Sequence, residues 1–215
     1  MSVTKDAIIA ANRDAWNEAA ERHRDHEQYE ALLQGFATNG FSVLDDTLTR
    51  RLRDLGIAGK DVAQLCCNNA RELLSMKTLG AAKVTGFDFS EAFLAQAREL
   101  AAAGGIEAEL VRTEIEQIPA GYDGRFDIAL VTIGVLGWMP DLAAFFATAR
   151  RVLKPGGHLV IYESHPILNM YDMLNMDDME GGRATHPVLP DESYFRSEPY
   201  VSNDGLDYWN CEVYD

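Results

Sequence analysis

The 215-residue chain has few cysteines, no long apolar run and no excess of basic residues, and each scarcity excludes a class of protein. Its three cysteines, of which two are adjacent and the third lies far along the chain, form neither a disulfide framework nor a paired C-x-x-C zinc site. A membrane-spanning helix needs a run of about 18 apolar residues, which the sequence lacks, and the N-terminus has no apolar signal core. We therefore expect a cytoplasmic protein, in a reducing compartment, that holds no metal.

Basic residues are outnumbered by acidic ones, with 19 Lys and Arg against 34 Asp and Glu and a formal net charge of −15. A surface of this charge repels phosphodiester backbones and anionic lipids, and no basic stripe interrupts it. Nucleic acids and membranes are therefore not expected partners. What the chain does contain is 47% hydrophobic residues, which is ordinary for a folded domain with a core of its own.

The most informative segment lies in the first half of the chain, where the pattern predicts strand, turn, helix and strand. An apolar strand over 62–65 leads into a turn of small residues at 66–70, and a helix over 71–79 returns the chain to a strand that ends at Asp88. Asp88 follows Asn68 by about 20 residues, the separation that one crossover helix requires. Its carboxylate then lies beside the first turn and can accept two hydrogen bonds from a ribose diol, which predicts a nucleoside-type cofactor. The alternative is that Asp88 only caps the next helix.

Helices and strands alternate along the rest of the chain. An amphipathic helix over 6–36 precedes the sheet and carries apolar residues at helical spacing among many charges. Shorter helices are predicted at 46–55, 91–103 and 141–153, with Ser90 as the cap of the second, and strands at 108–112, 126–132 and 158–162. Strands joined by helices in this way predict an α/β fold with a doubly wound, mostly parallel sheet.

The same pattern divides the chain into three parts. These are an N-terminal helical cap (1–56), an α/β core (57–165), and an insertion or lid with a possible edge strand (166–215). Within the last part, residues 169–199 are typical of a loop and only 206–214 of a strand. The C-terminal edge of the sheet is therefore expected to be incomplete. Either the chain is a truncated form, or a partner chain completes the edge, as in a homodimer.

A set of motifs, met in order along the chain, resembles those of the class I S-adenosylmethionine-dependent methyltransferases. They are GFDFS at 86–90, EIEQIP at 114–119, FDIALV at 126–131 and RVLKPGGHLVI at 151–161, which contains a predicted turn at 154–157. They are similar, respectively, to the family's second strand, its D-A-x-x-L-P segment, its F-D-x-V fourth strand and its turn before the fifth strand. The resemblance extends over residues 6–163 and implies a Rossmann-like methyltransferase fold that uses S-adenosylmethionine and releases S-adenosylhomocysteine. The acidic surface favours a small molecule as the methyl acceptor.

The first turn departs from the family pattern D-L-G-C-G-x-G, because residues 64–70 read QLCCNNA. Gln64 can hydrogen-bond an amino group, but it lacks the carboxylate charge that would pair with the methionine ammonium. This departure favours an alternative function, a catalytically silent or regulatory protein that keeps the fold. A dehydrogenase on the same layout is disfavoured, because the dinucleotide glycine fingerprint is absent.

The resemblance also implies a cofactor site, made of Gln64, Cys66, Cys67, Asn68, Asp88, Phe89, Glu114, Ile115 and Thr132. In this site Asp88 would hold the ribose hydroxyls, Phe89 would lie against adenine, and Glu114 would meet the adenine amino group. The backbone of Ile115 would meet a ring nitrogen, the turn after the first strand would face the methionine part, and Thr132 would close the site. Glu114 is alternatively an ordinary surface carboxylate on a connecting loop.

His165 is the candidate catalytic base, because it follows the fifth strand at the carboxyl edge of the sheet and a histidine titrates near neutral pH. Methyl transfer needs an oriented nucleophile, and a base is required only when the acceptor carries a proton of high pKa. A purely structural histidine is the alternative.

Overall fold

The computed structural model describes residues 4–24, 27–165 and 167, together with the backbone of four short strands further along the chain. These strands form two antiparallel pairs, β6 (Met179–Glu180) with β7 (Arg183–Ala184) and β8 (Val201–Ser202) with β9 (Val213–Tyr214). The other residues of the predicted insertion or lid, including most of the predicted strand at 206–214, lie outside the described residues.

A sheet of five parallel strands, in the order β3-β2-β1-β4-β5, forms the centre of the fold. The strands are β1 (Asp61–Leu65), β2 (Lys83–Asp88), β3 (Glu109–Arg112), β4 (Phe126–Val131) and β5 (Leu153–Ile161). The chain leaves β1 towards one edge and returns to build the other edge from β4, so the strand order reverses between β1 and β4. This arrangement confirms the predicted doubly wound sheet and places a ligand-binding crevice at the carboxyl ends of the central strands.

The predicted turn at 154–157 lies within β5 as a break in its pairing. Phe126 pairs with Leu153 and Ile128 pairs with His158, so the four residues between Leu153 and His158 bulge out of the ladder. Gly156 within the bulge has a φ of 79°, a left-handed conformation that suits glycine.

The helices are α1 (Lys5–Arg24), α2 (Glu27–Phe36), α3 (Asp46–Asp54), α4 (Arg71–Ser75), α5 (Glu91–Ala103) and α6 (Leu142–Val152). Helices α1 and α2 lie where one helix over 6–36 was predicted. Residues 25–26, between them, lie outside the described part, so the continuity of that helix stays a prediction. Residues 21–28 are all polar, so no apolar position continues the buried stripe of α1 into α2.

The starts of α3, α5 and α6 follow from side-chain caps. Ser90 accepts a hydrogen bond from the Phe93 N–H, which confirms the predicted cap of α5. Asp45 and Asp141 cap α3 and α6 in the same way, through the N–H groups of Leu48 (2.8 Å) and Ala144 (2.9 Å).

Two apolar clusters cover the two faces of the sheet. Side chains of β1 alternate between them, with Val62 in one cluster and Ala63 in the other, as the pleat of a strand requires. Residues of α3, α4 and α5 belong to the first cluster, and residues of α6 belong to the second. The sheet is thus buried on both faces, and its carboxyl edge is the side available for a site.

Candidate active site

All five strands of the sheet end at one cavity of about 710 Å³. The lining residues that follow the strands are Cys66–Asn69 after β1, Asp88 and Phe89 at β2, Thr113–Glu116 after β3, Thr132–Val135 after β4, and Tyr162 after β5. Helix α1 adds Ile9, Asn12, Trp16 and His23 from above the sheet. The cavity therefore occupies the crevice at the strand-order reversal, where open α/β sheets bind ligands.

The structure brings the whole predicted cofactor site together around this cavity. Its lining includes every member, which are Gln64, Cys66, Cys67, Asn68, Asp88, Phe89, Glu114, Ile115 and Thr132. Their contact with a cofactor stays a prediction, but their convergence follows from the topology, because parallel strands deliver their carboxyl ends to one edge.

The turn after β1 keeps the backbone of a glycine-rich turn without containing a glycine. Cys66, Asn68 and Ala70 have φ values of 54°, 52° and 59°, and they are the non-glycine residues with positive φ in the described part of the chain. Each of them stands where the pattern D-L-G-C-G-x-G has a glycine. A left-handed conformation costs a residue with a Cβ about 1–2 kcal/mol, less for Asn, so the fold retains this turn against a local penalty.

Asp88 ties the end of β2 to this turn. Its side chain is buried, one carboxylate oxygen accepts the Asn68 N–H at 2.7 Å, and the other accepts the Ser90 N–H at 2.9 Å. Burial raises the pKa of Asp88 to about 6, although the hydrogen bonds from these N–H groups act in the opposite direction. Since Ser90 is the cap of α5, Asp88 is not needed for that role, and its remaining lone pairs lie at the cavity.

Gln64, which lines the same cavity, has a buried side-chain oxygen without a hydrogen-bond partner among the described residues. The side chain is 1% exposed, and its Nε2 donates to Thr132 Oγ1 at 2.8 Å. Its Oε1 is that oxygen. A buried polar atom without a partner costs about 1–3 kcal/mol, so a ligand N–H group placed here would gain that amount. The residues present therefore fit a bound amino group at this position.

At the β3 end of the cavity, Glu114 already has protein partners. Its carboxylate lies 3.7 Å from Arg13 Nη1 of α1 and accepts a hydrogen bond from Gln117 Nε2 at 2.6 Å. Ile115, which is buried, begins a short 3-10 turn. These contacts connect α1 to the predicted adenine end, and both the adenine role of Glu114 and its alternative as a surface carboxylate stay open.

Two aromatic residues, Trp16 of α1 and Trp138, form part of the cavity wall. Their ring centroids are 5.2 Å apart in an edge-on arrangement, and Trp16 also meets Phe93 of α5 at 5.9 Å. Edge-to-face pairs of this kind stabilise a wall beyond the area that they bury. Helix α1 is thereby packed against the loop that follows β4.

Asp45 and Tyr162 form a pair in the cavity that the sequence did not predict. The Tyr162 hydroxyl donates a hydrogen bond to one oxygen of Asp45, whose other oxygen caps α3. The hydrogen bond from Tyr162 lowers the pKa of Asp45 and raises that of Tyr162, so the pair is a carboxylate and a neutral phenol at neutral pH. The one available signal was that Tyr162 comes directly after β5, at the carboxyl edge.

Glu163 holds the loop that follows β4. Its carboxylate accepts hydrogen bonds from the N–H groups of Gly134, Val135 (2.9 Å) and Leu136 (3.4 Å). His165, the predicted base, is exposed, and its Nδ1 accepts the Ile167 N–H at 3.2 Å. His165 is not among the described residues that line the cavity. Its role as a catalytic base stays a prediction.

Neither a metal-binding cluster nor a membrane-spanning helix is found in the described part of the chain. The described part of the chain contains no group of three His, Cys, Asp or Glu side chains placed to hold a metal ion. None of its helices has the length and apolar character that crossing a membrane requires.

Comparison with known proteins extends the resemblance found in the motifs. Residues 62–157 match the family described as "Methyltransferase domain". The chain is 32% identical over 106 residues to a Pseudomonas aeruginosa protein named "Ubiquinone biosynthesis O-methyltransferase", covering 49% of this chain and 45% of that one. It is 30% identical over 129 residues to a Staphylococcus aureus "Demethylmenaquinone methyltransferase", covering 58% and 52%. The chain thus spans about half the length of the curated relatives that it matches.

A solved structure shows the same fold at greater coverage. It is that of a candidate S-adenosyl-L-methionine-dependent methyltransferase from Methanococcus maripaludis, with a TM-score of 0.54, 16% identity, and coverage of 76% of this chain and 68% of that one. The parallel sheet, the carboxyl-edge cavity and these matches together define a Rossmann-like methyltransferase fold. The matched segment, residues 62–157, is similar to the class I S-adenosylmethionine-dependent methyltransferases.

Proposed function

We propose that this protein transfers the methyl group of S-adenosylmethionine to a small-molecule acceptor and releases S-adenosylhomocysteine. The observation that carries the proposal is the meeting, in one cavity, of the buried Asp88 carboxylate, the left-handed turn after β1 and the unpartnered Gln64 Oε1. Bound S-adenosylmethionine would supply an electrophilic methyl group. The relatives' names favour this function over the alternative of a catalytically silent or regulatory protein.

Each part of this arrangement has a role in holding the cofactor. Asp88 accepts hydrogen bonds from the ribose hydroxyls, and the backbone of the turn after β1 makes room for the methionine part. Gln64 Oε1 accepts a hydrogen bond from the methionine ammonium, in place of the carboxylate of the family pattern. Phe89, Glu114 and Ile115 border the adenine. These residues bind and orient the cofactor. Binding and orientation supply most of the rate enhancement in a displacement at a methyl carbon.

A small acceptor fits the enclosure of the site. The cavity, at about 710 Å³, is within the ordinary size range of small-molecule sites and is covered by α1. The two relatives named above carry names that refer to ubiquinone and menaquinone synthesis, and a small, largely apolar acceptor is consistent with both. The net charge of −15 disfavours a nucleic acid acceptor.

We also propose the division into a helical cap (1–56), a cofactor-binding core (57–165) and an insertion or lid (166–215). A cytoplasmic location agrees with the biosynthetic names of the bacterial relatives. In the described part of the chain β5 pairs with β4 alone, so its outer edge is available to a second copy, which would make a homodimer.

The test is calorimetric titration of S-adenosylmethionine and S-adenosylhomocysteine into the purified protein. Wild type should bind both with micromolar Kd, and Asp88→Asn should bind them about tenfold more weakly or worse, because one ribose-binding oxygen and the charge are lost. Asp54→Asn, an exposed carboxylate in the last turn of α3, is the matched control and should bind like wild type. No heat and no thermal shift at millimolar ligand would contradict the proposal.

A further inference from the structure

We infer that the Asp45–Tyr162 pair, with the apolar side chains around it, is the binding site for the methyl acceptor. The structure points to an acceptor that is largely apolar, carries no negative charge, and offers an O–H or N–H group to this pair. The inference rests on the proposed function, since it assumes that the cofactor occupies the other half of the cavity.

The position of the pair follows from the strand order. The predicted adenine residues Glu114 and Ile115 follow β3, whereas Tyr162 follows β5, and these two strands form opposite edges of the sheet. The Tyr162 N–H donates to the Val131 carbonyl at 2.9 Å, so Tyr162 lies one strand spacing, about 4.8 Å, from the end of β4. Thr132, the next residue after Val131, holds the side chain of Gln64. The pair therefore lies beside the methionine end, where an acceptor must approach the methyl group.

The hydrogen-bonding chemistry of the pair defines what it can bind. The hydroxyl hydrogen of Tyr162 is used on Asp45, so the phenol oxygen and the carboxylate present only lone pairs to a ligand. Capping α3 requires just one oxygen of Asp45, so the second oxygen and the phenol are not explained by the helix cap. A pair that can only accept hydrogen bonds selects a ligand that donates one.

Charge on this side of the cavity is negative. Arg71 is the one Lys or Arg among the described residues that line the cavity, and its Nε donates to Glu72 at 2.8 Å. Asp45 has no such cation, because its described partners are a phenol and backbone N–H groups. A carboxylate or phosphate on the acceptor would meet this charge without compensation, whereas a neutral or cationic acceptor would not.

Apolar side chains surround the pair. Val43 and Leu44 precede Asp45, Leu48 lies one helical turn after it, and all three line the cavity. An apolar wall with a few convergent polar groups is the usual composition of a small-molecule site.

The test uses substitutions that keep the local fold. Asp45→Asn removes the charge but keeps the helix cap, because Asn and Asp cap equally well. Tyr162→Phe keeps the ring and the backbone hydrogen bond and removes the hydroxyl. Asp46→Asn, on the neighbouring carboxylate that does not line the cavity, is the matched control. The far-UV spectrum and Tm of each variant establish that it is folded.

The probes are matched sets of one-ring compounds that differ only in carrying a hydroxyl, an amine or a carboxylate. S-adenosylhomocysteine release is measured as kcat and KM, and binding is measured as the thermal shift of protein loaded with S-adenosylhomocysteine. Hydroxyl or amine members should be used about tenfold better than carboxylate members. Tyr162→Phe should raise the KM for the acceptor. Asp45→Asn should reduce the ratio of activity with hydroxyl or amine members to activity with carboxylate members. Both variants should keep the Kd of S-adenosylmethionine within about twofold of wild type.

Three results would overturn the inference. They are a preference for carboxylate members, variants that match the Asp46→Asn control, and no response to any member by protein that binds S-adenosylmethionine. A failure to bind S-adenosylmethionine at all would instead refute the proposed function, so the two failures are distinguishable.

Discussion

Single residues in the turn after β1 store backbone strain. Ala70 is fully buried, has a φ of 59° and stands at the N-cap of α4, a position where glycine would carry no Cβ penalty. Cys66 has a similar conformation and lines the cavity, so it narrows the approach to the predicted methionine end. The turn therefore has left-handed residues at the three glycine positions of the family pattern, although its side chains are different.

Replacing Ala70 with glycine tests this strain. Glycine has no Cβ penalty in the left-handed conformation, so the substitution should add about 1–2 kcal/mol to the free energy of unfolding. This gain should offset the loss of methyl contacts in the folded state and the greater entropy of the unfolded chain. Ala97→Gly is the matched control, because Ala97 is equally buried but lies inside α5, where glycine costs about 1 kcal/mol. In urea unfolding, Ala70→Gly should be more stable than Ala97→Gly by about 1–2 kcal/mol. Equal losses in the two variants would show that the turn is unstrained.

Asp88 makes both stability and cofactor binding depend on pH. Because burial raises its pKa to about 6, the folded protein holds a proton on this group over a range where the unfolded chain has lost it. Its contribution to the free energy of unfolding is therefore fully present below the ordinary carboxyl pKa, near 4, and is lost as the pH rises through about 6. If Asp88 binds the ribose as proposed, cofactor binding should have the opposite dependence, because the ribose hydroxyls would need the ionised carboxylate as acceptor.

The measurable result is a fall in S-adenosylmethionine affinity as the pH drops through about 6, with release of a proton on binding near that pH. Calorimetry in buffers of different ionisation enthalpy measures the proton directly. Asp88→Asn should bind weakly and show no proton release from this site. A proton release that persists unchanged in Asp88→Asn would assign the effect to another group lining the cavity, such as His23.

At the scale of elements, Glu163 couples the ends of β4 and β5. Its carboxylate receives the N–H groups of Gly134, Val135 and Leu136, so a residue that follows β5 fixes the backbone of the loop after β4. That loop leads to Trp138, which packs on Trp16 of α1. One side chain therefore positions a loop that forms a cavity wall together with α1.

Glu163→Gln should loosen this loop, because an amide offers one acceptor oxygen and turns a donor towards backbone N–H groups. Hydrogen exchange of residues 134–136 should become at least about tenfold faster, and the free energy of unfolding should fall by about 1–2 kcal/mol. Glu107→Gln, at an exposed site, should leave both quantities unchanged. Unaltered exchange in Glu163→Gln would mean that the loop is held by its own packing.

At the scale of the whole molecule, the net charge of −15 acts on the cofactor and product differently. S-adenosylmethionine carries one more positive charge than S-adenosylhomocysteine, because its sulfur is a sulfonium. A negative protein field therefore favours the methyl donor over the product, and salt screens that field over a Debye length of about 10 Å at 0.1 M.

Raising NaCl from about 20 mM to about 300 mM should weaken S-adenosylmethionine binding more than S-adenosylhomocysteine binding. Calorimetry of both ligands in the same series gives the ratio of their Kd values, which should shift towards the product as salt increases. A ratio independent of salt would show that only short-range contacts discriminate between the two ligands.

Much of the core, and the convergence of the predicted cofactor residues on one cavity, was predictable from sequence. The periods of β1, β4 and α5, the cap at Ser90 and the spacing of Asn68 and Asp88 are local signals, and the structure has a hydrogen bond between those last two residues. The helix predicted over 6–36 is helical wherever the structure describes it, as α1 and α2, and its continuity through residues 25–26 stays a prediction. The position of His165 was not predictable, since a side chain's direction after a strand depends on what packs against it.

The sequence by itself determined the class of fold. Its signals are the periods of strands and helices, the turn residues and the helix caps, and each of them depends on residues close together in the chain. It also determined the charge of the molecule and the order of the motifs. Only the tertiary structure decided which distant side chains meet, such as Asp45 with Tyr162, Arg13 with Glu114 and Glu163 with the loop after β4. The physical reason is that such contacts join residues far apart in the chain, and their geometry exists only once the sheet and its helices have packed.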